Sequence, residues 1–120
     1  MFVATEEELA SAIKNKEDQI TIEGDLKEKT IKIKATGNIA WGVVVTGLII
    51  GVGIIITTGG AGAPISALAG SGAVGILGNA TAISALKIGV AAKGVNVLNS
   101  LRNDYNITFE DKDKLILKRN

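Results

Sequence analysis

Few residues in this chain can do chemistry, and their types and spacing exclude each familiar chemistry in turn. Cysteine and histidine are both absent, which removes thiol nucleophiles, disulfides, thiolate or imidazole metal sites and imidazole general bases. Two glycine-rich stretches invite a nucleotide site. Gly59, Gly60, Ala61 and Gly62 are followed by no Gly-Lys-Ser/Thr and lie near no basic residue, so the groups a P-loop uses to hold phosphate are missing. Residues 70–75, GSGAVG, have G-x-G-x-x-G spacing, yet no strand leads into them and no acid follows at the distance a ribose contact needs. The acids Glu6, Glu7, Glu8, Asp104, Glu110, Asp111 and Asp113 fall in predicted caps and turns, where carboxylates are ordinarily just solvated. The sequence predicts no catalytic, cofactor-binding or metal site, and no enzyme.

The informative feature is instead a long run without charge. Residues 35–86 hold no Asp, Glu, Lys or Arg, and the chain is 47% hydrophobic with 15 glycines but only 3% aromatic. A water-soluble core is usually filled by larger side chains and aromatic anchors, whereas glycine and alanine at this density suit helices whose backbones approach closely. Residues 39–58 match the roughly 20 residues that cross about 30 Å of hydrocarbon. GGAGAP at 59–64 then breaks the helix. Residues 65–86 form a second predicted span, with a helical extension to about residue 102.

Within this block Gly47 and Gly51 make a small-xxx-small step, and Ala67, Ser71, Gly75 and Asn79 repeat the spacing of four, as do Gly70 with Ser66 and Gly78 with Val74. Such ridges let helices pack almost backbone to backbone. Gly47, Gly51, Gly70, Ser71, Gly75, Gly78 and Asn79 are therefore the expected oligomer or pore interface. The simpler alternative is that the ridges join the two helices of one hairpin. Asn79, Thr81 and Ser84 should face protein or water, since unpaired polar groups in hydrocarbon are costly. Trp41 fits the aromatic belt at a membrane surface. Lys87, Lys93 and Arg102 lie on the wet side of the extension, as a cytoplasmic pore mouth or as contacts for an anionic ligand, although Lys87 could equally be a snorkelling anchor.

The flanks supply a charged cap. Thr5 and Glu8 have capping-box spacing ahead of a helix through Leu9, Ala12 and Ile13. Ile20, Ile22 and Leu26, then Ile31 and Ile33, alternate with polar residues and predict a β-hairpin. Ile107 and Phe109, a charged turn, and Leu115 and Leu117 predict another. The expected fold is thus a membrane α-helical hairpin plus a small α+β cytoplasmic cap, with two β-hairpins forming one sheet and a short N-terminal helix, assembled as a homo-oligomer. Its parts are 1–36 and 105–120 for the cap, 39–58 and 65–86 for the spans, and 59–64 for the turn.

The opening residues are acidic and polar where a secretory signal needs a basic and then an apolar region. Lysines flank both predicted spans, and the loop between the spans has none. The positive-inside rule then places both termini in the cytoplasm of a bacterial inner membrane. Net charge is only +1, so bulk electrostatics make no case for nucleic-acid binding.

Three functions suit this layout. One is an oligomeric channel or pore-forming effector that dissipates the membrane gradient when triggered. A second is a non-conducting anchor or scaffold whose cytoplasmic sheet binds a partner. The third is a soluble-to-membrane pore-forming toxin or a holin. Two spans, IAWGVVVTGLIIGVGIIITTGG and PISALAGSGAVGILGNATAISALK, between charged hairpin segments resemble the membrane effectors of bacterial anti-phage defence, in particular the channel-like effector of the Hailong system. That resemblance implies a nucleotidyltransferase partner whose DNA oligomers hold the channel shut. It would make Lys87, Lys93, Arg102, Lys118 and Arg119 the contacts for an inhibitory oligonucleotide, by charge alone.

Overall fold

Residues 1–58 and 72–120 are described by the computed structural model. The capping box forms as its spacing predicts: the Glu8 N–H donates to Thr5 Oγ1, and Glu8 Oε1 accepts from the Thr5 N–H. It opens α1, Glu6–Lys14, after the two-residue strand β1, Phe2–Val3, and buries Leu9, Ala10, Ala12 and Ile13. Strand β2, Gln19–Glu23, follows with Ile20 and Ile22 fully buried.

The next element departs from expectation. Residues 26–35, predicted to return as a strand, form helix α2, Leu26–Ala35. Ile31 and Ile33 alternate with lysines, but Leu26, Thr30 and Ile33 also lie four and three apart, and this helical stripe is the one buried. The strand that pairs with β2 comes from the far end of the chain. β3, Tyr105–Glu110, and β4, Lys114–Arg119, make the predicted C-terminal hairpin. Its turn is held by Asp111 Oδ1, which accepts from the N–H groups of Asp113 and Lys114, both at 2.8 Å. The sheet order is β1-β2-β4-β3, parallel between β1 and β2 and antiparallel elsewhere, with Ile20 opposite Leu117 and Ile22 opposite Leu115. The sheet does unite both ends of the chain, but it contains one hairpin and a mixed edge.

Helix α3, Asn38–Thr58, takes up the first apolar segment almost as delimited from sequence. Among the described residues, the second apolar segment divides into α4, Ala73–Leu77, and α5, Asn79–Ala91, and the chain then turns by 113° into α6, Asn96–Asn103. Gly78 makes the first break at φ +84°, a conformation open to glycine and strained for other residues. The predicted turn at 59–64 lies outside the described residues.

Helix α5 is the centre of the molecule. It touches all five other described helices and buries Thr81, Ala82, Ser84, Ala85, Leu86, Ile88 and Gly89. Its small side chains allow that crowding: a Cβ at Gly89 would lie 2.8 Å from Val52 Cγ2 of α3, well inside van der Waals contact. Thr81 and Ser84 therefore lie within protein. The Cα radius of gyration, 13.3 Å, is near the roughly 13–14 Å of a compact domain this long. The two-span membrane hairpin with a separate cap is thus overturned. The molecule is an α+β globule in which the sheet and the helices share one core, and α3 is the single described helix long and apolar enough to cross a membrane.

Candidate functional site: the outer side of helix α3

Helix α3 has two unlike sides. Trp41, Val44, Gly47, Leu48, Gly51 and Val52 are buried, a stripe spaced by three and four that packs on α4 and α5. The small-xxx-small step at Gly47 and Gly51 lies on this inner side. The opposite side carries Ile39, Val43, Ile49, Ile50, Ile54 and Ile56, all exposed, with Ile39 at 91% and Ile50 at 57%. Thr46 shares that side, and its hydroxyl donates to the carbonyl of Gly42 at 3.0 Å, so the helix itself satisfies this polar group. No charged residue interrupts the helix.

The first turns of α3 are fastened by a polar latch. Trp41 Nε1 donates to Asn99 Oδ1 of α6 at 2.9 Å, and the Arg102 guanidinium lies over the Trp41 ring, 4.5 Å from its centroid. Arg102 also donates to the carbonyls of Ile33 and Thr36 at 2.6 and 2.8 Å, and to Asn38 Oδ1 at 3.3 Å. Lys34 on α2 answers in the other direction, donating to the carbonyls of Leu101, Arg102 and Tyr105 at 2.8, 3.3 and 2.6 Å. Each helix thus supplies the cation that satisfies the open C-terminal carbonyls of the other, where positive charge also complements the helix dipole. Burial, and secondarily the neighbouring Arg102, hold the Lys34 ammonium below its ordinary 10.5. Burial alone lowers the Arg102 guanidinium.

The residues singled out from sequence do not converge. Gly47 and Gly51 are inside, Gly75 is exposed with open space around it, and Gly78 is the α4–α5 break beside the Lys32 ammonium. Asn79 begins α5 exposed, while Gly70 and Ser71 lie outside the described residues. Lys87 and Lys93 are exposed, and Arg102 spends its guanidinium on the latch. Trp41 is 7% exposed, which removes it from the surface belt expected of it. The latch was invisible in sequence because its partners lie about 60 to 70 positions apart. Among the described residues no group of His, Cys, Asp or Glu could hold a metal ion.

A small α+β domain with one uncharged, half-exposed helix is what the geometry defines. Over residues 2–119 the chain matches the family described as Uncharacterised protein PM1101. It belongs to that family. No curated protein and no solved structure matches it.

Proposed function

We propose that this protein is membrane-active, engaging the bilayer through the outer side of α3, and that its activity is perturbation of the membrane barrier. The observation that carries this is the exposure of α3. A helix this apolar in a soluble core is mostly buried, yet only 33% of the most apolar 18-residue stretch of α3 is buried. Each of its six half-exposed or exposed aliphatics that leaves water gains on the order of 1 kcal/mol. Together these would drive partition into lipid without any added charge. The whole apolar span, Asn38–Thr57, is 20 residues and is also long enough for the hydrocarbon core.

On this account the folded globule is the form that carries α3 to the membrane, and the latch at Trp41 and Arg102 is what must loosen for the helix to go deeper than the surface. The purified chain should float with phosphatidylcholine vesicles and release an entrapped dye from them, and Ile50→Asp should abolish both. Absence of flotation with wild-type protein would sink the proposal. Concentration-dependent self-association that Ile50→Asp removes, without vesicle binding, would assign this side of α3 to a second copy of the chain.

A further inference from the structure

A cavity of about 280 Å³ opens where three helix ends meet: the C-terminus of α1, the C-terminus of α5 and the N-terminus of α6. Lys14, Lys16, Lys93 and Arg119 line it against a single acid, Asp104. None of these four side chains has a hydrogen bond or ion pair with another described residue. Lys14, Lys16 and Lys93 are exposed and Arg119 is half-buried, so water solvates them. With Glu17 and Asp18 also acting on Tyr105 of the same lining, the hollow keeps a small excess of positive charge, which favours an anion over a cation.

Two of these cations also share an unusual backbone conformation. Lys16 and Lys93, at φ +56° and +59°, are the non-glycine residues with positive φ among the described residues, and both line this cavity. Each occupies the left-handed position just past a helix. The Lys16 and Glu17 N–H groups return to the carbonyls of Ile13 and Ala12, and the Lys93 and Gly94 N–H groups return to those of Val90 and Gly89. Glycine is the usual occupant there and avoids the steric strain. In a chain with 15 glycines, both positions hold lysine. Attraction to the helix C-termini explains part of this. It does not explain Arg119, which comes from β4, nor why charge is needed where those backbone bonds already satisfy the helix ends.

The third contribution is the start of α6. Val95 stands at its N-cap with no side-chain acceptor, and Asn96 and Val97 line the cavity, so open N–H groups and the positive helix end border it. We propose that the cavity binds the phosphate group of a small ligand, with the ammonium groups and the Arg119 fork donating to its oxygens. The volume suits a phosphomonoester or pyrophosphate, borne either by a soluble molecule or by a lipid headgroup.

The test is calorimetric titration of the full chain with inorganic pyrophosphate at low salt, beside vesicle flotation with and without phosphatidic acid. Lys16→Gly with Lys93→Gly removes two cations while relieving the backbone strain, so the variant should melt no lower than wild type. Its pyrophosphate affinity should fall about 100-fold, roughly tenfold per charge-assisted contact. For a headgroup site, phosphatidic acid strengthens flotation of wild type and not of the variant. For a soluble ligand, pyrophosphate binds and flotation ignores phosphatidic acid. Binding to phosphatidylcholine alone reports on α3, so the two sites fail separately. The cavity proposal is overturned if pyrophosphate gives no saturable signal and phosphatidic acid has no effect, or if the double variant binds either as tightly as wild type.

Discussion

Helices α3 and α5 come from one uncharged run of sequence and end in opposite surroundings. Helix α5, built mainly of Ala, Gly, Ser and Ile, lies under every other described helix. Helix α3, richer in Ile and Val, keeps one side on the core and turns the other outward. The difference teaches that apolarity alone does not assign a helix to lipid. Small residues permit close approach whether the neighbour is another span or the middle of a globule, while large aliphatics left on the surface need a separate explanation.

Substitutions can break this contrast at either pole. Ala85→Leu, at a position with no exposure, should overfill the α5 interface and lower stability by about 3 kcal/mol, read by urea denaturation. Ile50→Asp on the outer side of α3 should change stability by no more than about 0.5 kcal/mol while removing vesicle binding. Equal destabilisation by the two would erase the distinction between inner and outer helix.

The latch is the next largest effect. Arg102→Ala leaves the carbonyls of Ile33 and Thr36 and the face of Trp41 without their cation. We expect a loss of about 2 kcal/mol, moderated because solvent reaches the guanidinium. If the latch restrains α3, dye release by this variant should also be faster than by wild type. Thr30→Val acts in the other direction. The Thr30 hydroxyl is buried with no hydrogen-bond partner among the described residues, and an isosteric methyl should raise stability by about 1 kcal/mol.

The smallest effect lies at the N-terminal cap. Backbone hydrogen bonds from Ala4, and then from Thr5, hold the Glu8 carboxyl below its ordinary 4.5. The folded state therefore binds this proton less readily than the unfolded chain. The cap's contribution is complete above pH 4.5 and is lost as pH falls through the lower folded value. In Glu8→Gln, thermal unfolding followed by circular dichroism should lose part of its dependence on pH in that acid range.

What could be read from sequence followed from local rules. The Thr5–Glu8 box, the limits of α3 and the turn at Asp111 each rest on residues a few positions apart. Helix α2 was misread because Ile31 and Ile33 satisfy a strand pattern while Leu26, Thr30 and Ile33 satisfy a helical one, and tertiary burial decided between them. The second predicted span, 65–86, failed where Gly78 divides it, and its helical extension to about residue 102 failed at the turn at Lys93; Lys93, in a left-handed conformation that lysine seldom adopts, gives no composition signal at all. Likewise, the latch and the cationic cavity join residues far apart in the chain, which periodicity cannot bring together.

The central claim is that lipid takes the outer side of α3. A chain without cysteine allows a single reporter to be placed cleanly, so Ile50→Cys and, separately, Asp113→Cys in the hairpin turn can each carry an environment-sensitive fluorophore. On adding phosphatidylcholine vesicles, the label at 50 should shift to the blue and brighten, while the label at 113 should stay as it is in water. If both labels remain unchanged while vesicles are in excess, α3 is not a membrane contact and the account is wrong.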